Sequence, residues 1–341
     1  MKALRYLNPG ILKVEEIDSP LCAEGEALVR VHSAGICGSD MAIFAGKHPR
    51  ARPPLVMGHE FAGEIVDIQP AGVDTQLAVG DKVTAYPLLV CGDCWSCHNG
   101  VSHVCHDLKL IGIDRDGAFA EYVNVPLDLL VKFPADLSFD QGALIEPLAV
   151  AVHALDMAGE PDWQSAVVMG CGPIGLLVGV CLQKAGVKTI LMCDINSHRV
   201  KRAERFNFEA FNSAEGDLAE RVFEISNGVG ADIVFECAGS AAAALQMCEL
   251  VRPRAKIVMV SVHKDPHPVD LRAVTFKEIT MIGTRVYTHS DYRKALQMIP
   301  DLPSEDIISH RVNLDKGSEG FDLMNHADDA CKVIIKTRFG N

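Results

Sequence analysis

Cys37-Gly38-Ser39-Asp40 and, further along, Gly58-His59-Glu60 bring a thiolate, a hydroxyl, an imidazole and two kinds of carboxylate into one short stretch. Sulfur, nitrogen and oxygen donors in this mixture suit Zn²⁺ with one coordination position left open for chemistry. The plainer alternative is a buried cysteine and a core histidine that are near each other only in sequence. A second cluster, Cys91-Gly92-Asp93-Cys94-Trp95-Ser96-Cys97 followed by Cys105, spaces its thiols by two, two and seven residues. Four thiolates around one tetrahedral Zn²⁺ make a closed, structural site. An iron–sulfur cluster also takes four cysteines, but this spacing departs from the ferredoxin patterns. The neighbouring His98, His103 and His106 are expected to face solvent. Glu146 is an isolated carboxylate in the apolar run 141–154, where a buried charge needs a partner or a metal. Standing before Pro147 at a helix start, it could instead favour the helix dipole.

A third motif lies in the middle of the chain. Ala166-Val167-Val168-Met169 reads as a short buried strand, and Gly170-Cys171-Gly172-Pro173-Ile174-Gly175 leads from it into a helix over 176–184. A second strand, 189–193, ends at Asp194, 19 positions after Gly175. A glycine-rich turn between strand and helix, with an acid at the end of the next strand, is the dinucleotide fingerprint in its proper context. The glycines let backbone amides and the helix N-terminus approach a pyrophosphate. Asp194 would accept hydrogen bonds from ribose hydroxyls and repel a 2′-phosphate, which favours NAD, while Arg199 nearby leaves NADP open. Further strands over 210–212, 232–236, 256–260 and 279–283 make six, alternating with helices over 218–225 and up to 250. That is a doubly wound parallel sheet. Its carboxyl-end loops, including Val260-Ser261-Val262 and Thr284-Arg285, would contact the cofactor.

The elements that must position the first two motifs are mostly strands. Residues 25–33 alternate apolar and polar, as a half-buried strand does, with His32 on the polar phase. Further strands are read over 61–68, 79–85 and 116–123, with frequent Gly and Pro between them, and suggest a barrel-like β domain. After the six-stranded region come a helix over 291–299, a strand over 307–311, a helix over 320–326 and a closing strand over 332–336. This tail is expected to rejoin the first domain.

Composition narrows the classes of function. The 341 residues suffice for two domains, and 48% hydrophobic with 6% aromatic residues describes an ordinary α/β protein. A formal net charge of −13 argues against nucleic acid and against an anionic membrane surface. The most apolar window, 166–182, is cut by Gly170, Gly172, Pro173 and Gly175, so it reads as strand and helix rather than a membrane span. Twelve cysteines without a secretion signal suggest metal ligands and buried thiols, and a cytoplasmic location.

Taken together and in this order, these motifs resemble those of the zinc-containing medium-chain alcohol dehydrogenases, nearest the polyol (sorbitol), threonine and galactitol-phosphate dehydrogenase branch. The resemblance covers essentially the whole chain. It implies a GroES-like β-rich catalytic domain over 1–147 with a structural zinc lobe at 91–105, a Rossmann NAD-binding domain over 148–287, and a return to the catalytic domain over 288–341, with the active site in the cleft. It implies two zinc ions per subunit: a catalytic one at Cys37, His59 and either Glu60 or Glu146, and a structural one at Cys91, Cys94, Cys97 and Cys105. Gly170, Gly172, Pro173, Ile174, Gly175, Asp194 and Arg199 would hold NAD. Ser39 matches the hydroxyl that takes the substrate proton. Many relatives carry a histidine a few residues later to pass that proton on, and here that position is Ala42.

The implied reaction is reversible oxidation of a secondary alcohol to a ketone, on a small-molecule alcohol or polyol, by a homodimer or homotetramer. The basic stretch Gly46-Lys47-His48-Pro49-Arg50-Ala51-Arg52 could draw a sugar acid or sugar phosphate. A neutral polyol, threonine or a diol is the alternative substrate. From a different class, the chain could be a catalytically silent NAD-binding regulator.

Overall fold

Burial alternates along the strand Glu26–Gly35, as the apolar and polar pattern requires, until its last three residues, which are all buried. At that end the closing strand Lys332–Lys336 pairs with it, setting Ile334 opposite Gly35. On the other side Glu60–Gln69 runs antiparallel and sets Glu60 opposite Gly35. The computed structural model describes residues 1–160 and 162–340. The chain is α/β and divides into two units, Met1–Glu146 with Thr288–Asn341, and Pro147–Tyr287.

In the first unit the main sheet runs Leu130–Lys132, Lys82–Ala85, Glu60–Gln69, Glu26–Gly35, Lys332–Lys336 and Ile308–Asn313, with Tyr122–Pro126 also pairing to Glu26–Gly35. The core beside it holds Val29, Val31, Ile36, Phe61, Ile65 and Phe119, and the Phe119 ring meets Phe321 edge-on at 5.9 Å. Phe321 belongs to the helix Gly317–His326, so the tail helps to build this core. His32 is half-buried and stacks on Phe139 at 3.8 Å.

The second unit is a parallel sheet in the order Glu209–Asn212, Thr189–Asp194, Ser165–Met169, Ala231–Glu236, Val251–Met259, Thr280–Gly283. The order turns around at Ser165–Met169, which is where a doubly wound sheet opens a crevice at its carboxyl edge. The helix Pro173–Lys184 starts with Pro at its first position, where the missing N–H costs nothing, and buries Leu176, Leu177, Val178 and Leu182. No helix among the described residues is long and apolar enough to cross a membrane.

Candidate active site and metal centres

Cys37 ends the connection from Glu26–Gly35 and caps the short helix Gly38–Phe44. Its backbone N–H donates to Asp40 Oδ2 at 2.9 Å. Donor atoms of Cys37, His59 and Glu60 lie within 4.8 Å of one another, with His59 and Glu60 buried. Glu60 reaches this cluster because its strand partner is a glycine: a Cβ on Gly35 would sit 2.3 Å from Glu60 Oε2. Asp40 is fully buried, its Oδ1 lying 3.9 Å from His59 Nδ1, and neither of these atoms has a hydrogen-bond partner among the described residues. Burial pushes the Asp40 carboxyl up to about 6, against the opposing pull of His59. Burial alone would lower the His59 pKa, but Cys37 and Asp40 override it and hold the ring well above its ordinary value. An anion-rich pocket of this kind suits a divalent cation. Ser39 Oγ is buried and, among the described residues, unpartnered on the same turn, and Ala42 follows in the same helix.

Lys332 has no counterpart in the sequence reading of this site. It is 3% exposed and donates to Glu60 Oε1 at 2.8 Å, to Oε2 at 2.5 Å and to the Ile36 carbonyl at 3.1 Å. Burial would lower its pKa, but Glu60 and Cys37 raise it instead. The sequence offered only a lysine at the start of an apolar strand. Glu146 is not among the three clustered donors, although it is buried and its charge raises both His59 and Lys332. Its helix begins at Phe139 and carries Pro147 inside it, so Glu146 sits two turns in and not at a helix start, which removes the helix-dipole explanation.

The thiols of Cys91, Cys94, Cys97 and Cys105 stand 3.5 to 4.0 Å apart along the four spacings Cys91–Cys105, Cys94–Cys97, Cys94–Cys105 and Cys91–Cys97. Tetrahedral Zn²⁺ with bonds of about 2.3 Å puts sulfurs about 3.8 Å apart, whereas a disulfide needs about 2.05 Å. The set therefore fits a four-thiolate metal. Of the three lobe histidines, His98 and His106 are exposed as expected, but His103 is buried, because its short helical turn folds inward beside Cys105. His106 lies against Cys94 and holds that thiol down at about 5. In the basic loop the exposed Arg50 donates to the Leu108 carbonyl at 2.5 Å and pairs with Asp114 at 3.1 Å, Arg52 donates to the Ala51 carbonyl at 3.0 Å, and Lys47 is exposed.

In the second unit the fingerprint glycines do two different things. A Cβ on Gly175 would lie 1.8 Å from the Gly170 carbonyl oxygen, so only glycine lets the helix pack on the strand end. A Cβ on Gly172 would meet nothing within 4 Å, which leaves open space at the N-cap of Pro173–Lys184. Pro173 and Ile174 form the first turn there. Asp194 Oδ2 accepts from Cys171 N at 2.8 Å and Oδ1 from Asn196 N at 2.9 Å, with Arg199 Nη1 3.9 Å from Oδ2. This half of the sheet edge fits a dinucleotide phosphate and ribose. At the other half, Val260 and Ser261 donate backbone N–H groups to the Glu236 carbonyl, Val262 is exposed, Thr284 donates to the Met259 carbonyl, and Arg285 is exposed.

Comparison with known proteins agrees with this geometry. The alcohol dehydrogenase GroES-like domain family matches residues 23–135, and the zinc-binding dehydrogenase family matches residues 173–301. The chain is 35% identical to a 2-dehydro-3-deoxy-L-galactonate 5-dehydrogenase of Pseudoalteromonas atlantica, over 94% of this chain and 97% of that one. It is 32% identical to an L-threonine 3-dehydrogenase of Pyrococcus horikoshii, over 98% of each. The crystal structure of galactitol-1-phosphate dehydrogenase from Escherichia coli superposes with a TM-score of 0.90 at 29% identity, covering 98% of this chain and 100% of that one. The chain belongs to the zinc-containing medium-chain alcohol dehydrogenases and is an enzyme of that family.

Proposed function

We propose that this enzyme reversibly oxidises a secondary alcohol of a polyol, sugar acid or sugar phosphate to a ketone with NAD. The observation that carries the reading is the convergence of Cys37, His59 and Glu60, with the Ser39 hydroxyl on the turn capped by Cys37 and unpartnered among the described residues. Cys37, His59 and Glu60 would hold the catalytic zinc, with Glu146 as the nearby alternative carboxylate, and Cys91, Cys94, Cys97 and Cys105 would hold the structural one. When bound, zinc supplies Lewis-acid polarisation of the substrate hydroxyl, and NAD supplies the hydride acceptor. Ser39 Oγ would accept the hydroxyl proton while releasing its own proton towards water. Asp40 Oδ1, 3.9 Å from His59 Nδ1, lends negative charge to the ring rather than a hydrogen bond. Lys332 holds Glu60 beside the other two donors and offsets its charge. Asp194, at the end of Thr189–Asp194, would repel a 2′-phosphate, which favours NAD over NADP.

The test is NADH formation across polyols, sugar acids, sugar phosphates and threonine, with NAD and NADP compared. Chelation should abolish turnover and zinc should restore it; full activity after complete metal removal would refute the reading. No turnover on any substrate, with NADH binding retained, would favour a regulator.

A further inference from the structure

Glu236 ends the strand Ala231–Glu236 and is fully buried. Its Oε1 accepts from the backbone N–H groups of Ala238 at 2.9 Å and Gly239 at 2.7 Å. Its Oε2 accepts from Ser261 Oγ and pairs with His263 Nε2 at 3.0 Å. Its main-chain carbonyl accepts from Val260 N at 2.9 Å and Ser261 N at 3.0 Å. One residue thus fastens its own turn and the turn after the neighbouring strand Val251–Met259. The two turns touch: a Cβ on Gly239, which has a left-handed φ of +66°, would lie 3.4 Å from Ser261 Cβ. Between the two clasped side chains, Val262 points outward and is 87% exposed.

We propose that Glu236, Ser261 and His263 form a clasp that pre-sets the 260–263 turn for the nicotinamide half of the cofactor, with His263 as a positioning residue. The proposal rests on the NAD reading above. A doubly wound sheet takes one mononucleotide on each side of the point where its strand order reverses. Asp194 lies on one side of Ser165–Met169, and Ala231–Glu236, Val251–Met259 and Thr280–Gly283 lie on the other. With the adenosine ribose at Asp194, the nicotinamide end falls on the half that carries the clasp. A turn already held in place loses less freedom when a ligand docks on it, so the clasp acts through affinity.

The test compares wild type, His263→Leu and His263→Gln for NADH and AMP affinity by titration calorimetry, with hydrogen exchange of the 260–263 amides in the unliganded protein. His263→Leu should weaken NADH about tenfold, the equivalent of one hydrogen bond to a charged group, and leave AMP within about twofold. The same variant should lose amide protection in the turn. His263→Gln, whose side-chain N–H₂ can reach the place of Nε2, should recover most of both. Unchanged NADH affinity in His263→Leu would overturn the clasp, as would an equal loss for AMP, which would mark general loosening of the sheet edge. If His263→Leu does not fold, Ser261→Ala carries the same comparison with one donor removed. A wild type that binds AMP and not NADH would instead refute the dinucleotide reading itself.

Discussion

Replacing Lys332 with methionine keeps most of the side-chain volume and removes the ammonium that faces both oxygens of Glu60 at 2.8 and 2.5 Å. Glu60 is 1% exposed, so its carboxylate would be left buried without its countercharge. Breaking a buried pair from one side costs about 3–5 kcal/mol, and the Ile36 carbonyl loses its donor as well. At about 2–4 °C per kcal/mol for a domain of this size, a loss near 4 kcal/mol lowers the melting temperature of the metal-free protein by roughly 8–16 °C. Zinc at Cys37, His59 and Glu60 would supply the missing positive charge, and a ligand that binds only the native state stabilises it by mass action. The zinc-loaded variant should therefore lose less than half of what the metal-free variant loses. Differential scanning calorimetry on chelator-treated and zinc-reloaded samples of wild type and Lys332→Met measures both differences. Equal losses in the two states would separate the Lys332–Glu60 pair from any metal at this site. No loss in the metal-free state would show that the pair contributes nothing to stability.

Three further outcomes follow from single residues. Burial, followed by the Arg30 charge, pushes His32 from 6.5 down to about 4. The unfolded chain therefore binds a proton in this window that the folded chain refuses, so stability should fall as pH drops from about 6.5 to about 4. His32→Phe keeps a ring over Phe139 and should flatten that fall in denaturant titrations at stepped pH; an unchanged slope would assign it elsewhere. On the two-zinc proposal, Cys97→Ser should reduce metal content from two zinc per chain to one by elemental analysis, and retention of two would contradict the four-thiolate site. Asp194→Ala should lower kcat/KM with NAD by about tenfold while that with NADP rises, on the scale of one hydrogen bond to a charged group; an unaltered ratio would mean that Asp194 does not read the ribose.

The sequence by itself determined the features whose information is local. Thiols spaced by two, two and seven residues converge with Sγ separations near 3.5–4.0 Å because a short loop and two helical turns suffice to bring them together. The glycine fingerprint between strand and helix, and Asp194 at the next strand's end, were legible because each lies at a fixed step within one βαβ unit. Alternation along residues 25–33 predicted a half-buried strand, but it did not predict that the last residues are buried on both faces, since that depends on what packs over each face. The helices Ser197–Glu204 and Leu271–Lys277 have no counterpart in the sequence reading, being short and, in the second case, without buried side chains.

Tertiary structure decided the charge partners. Lys332 meets Glu60 across 272 positions only because the tail strand and Glu60–Gln69 flank the same central strand, and no spacing rule encodes that neighbourhood. Arg50 pairs with Asp114, a partner far from it in sequence. Likewise Glu236 is joined to His263 by the pairing of adjacent strands and not by any motif. Residue types and short spacings name the donors a chain can offer. The sheet order settles which of them share a low-dielectric space, and there a charge without a partner is costly enough to determine the site.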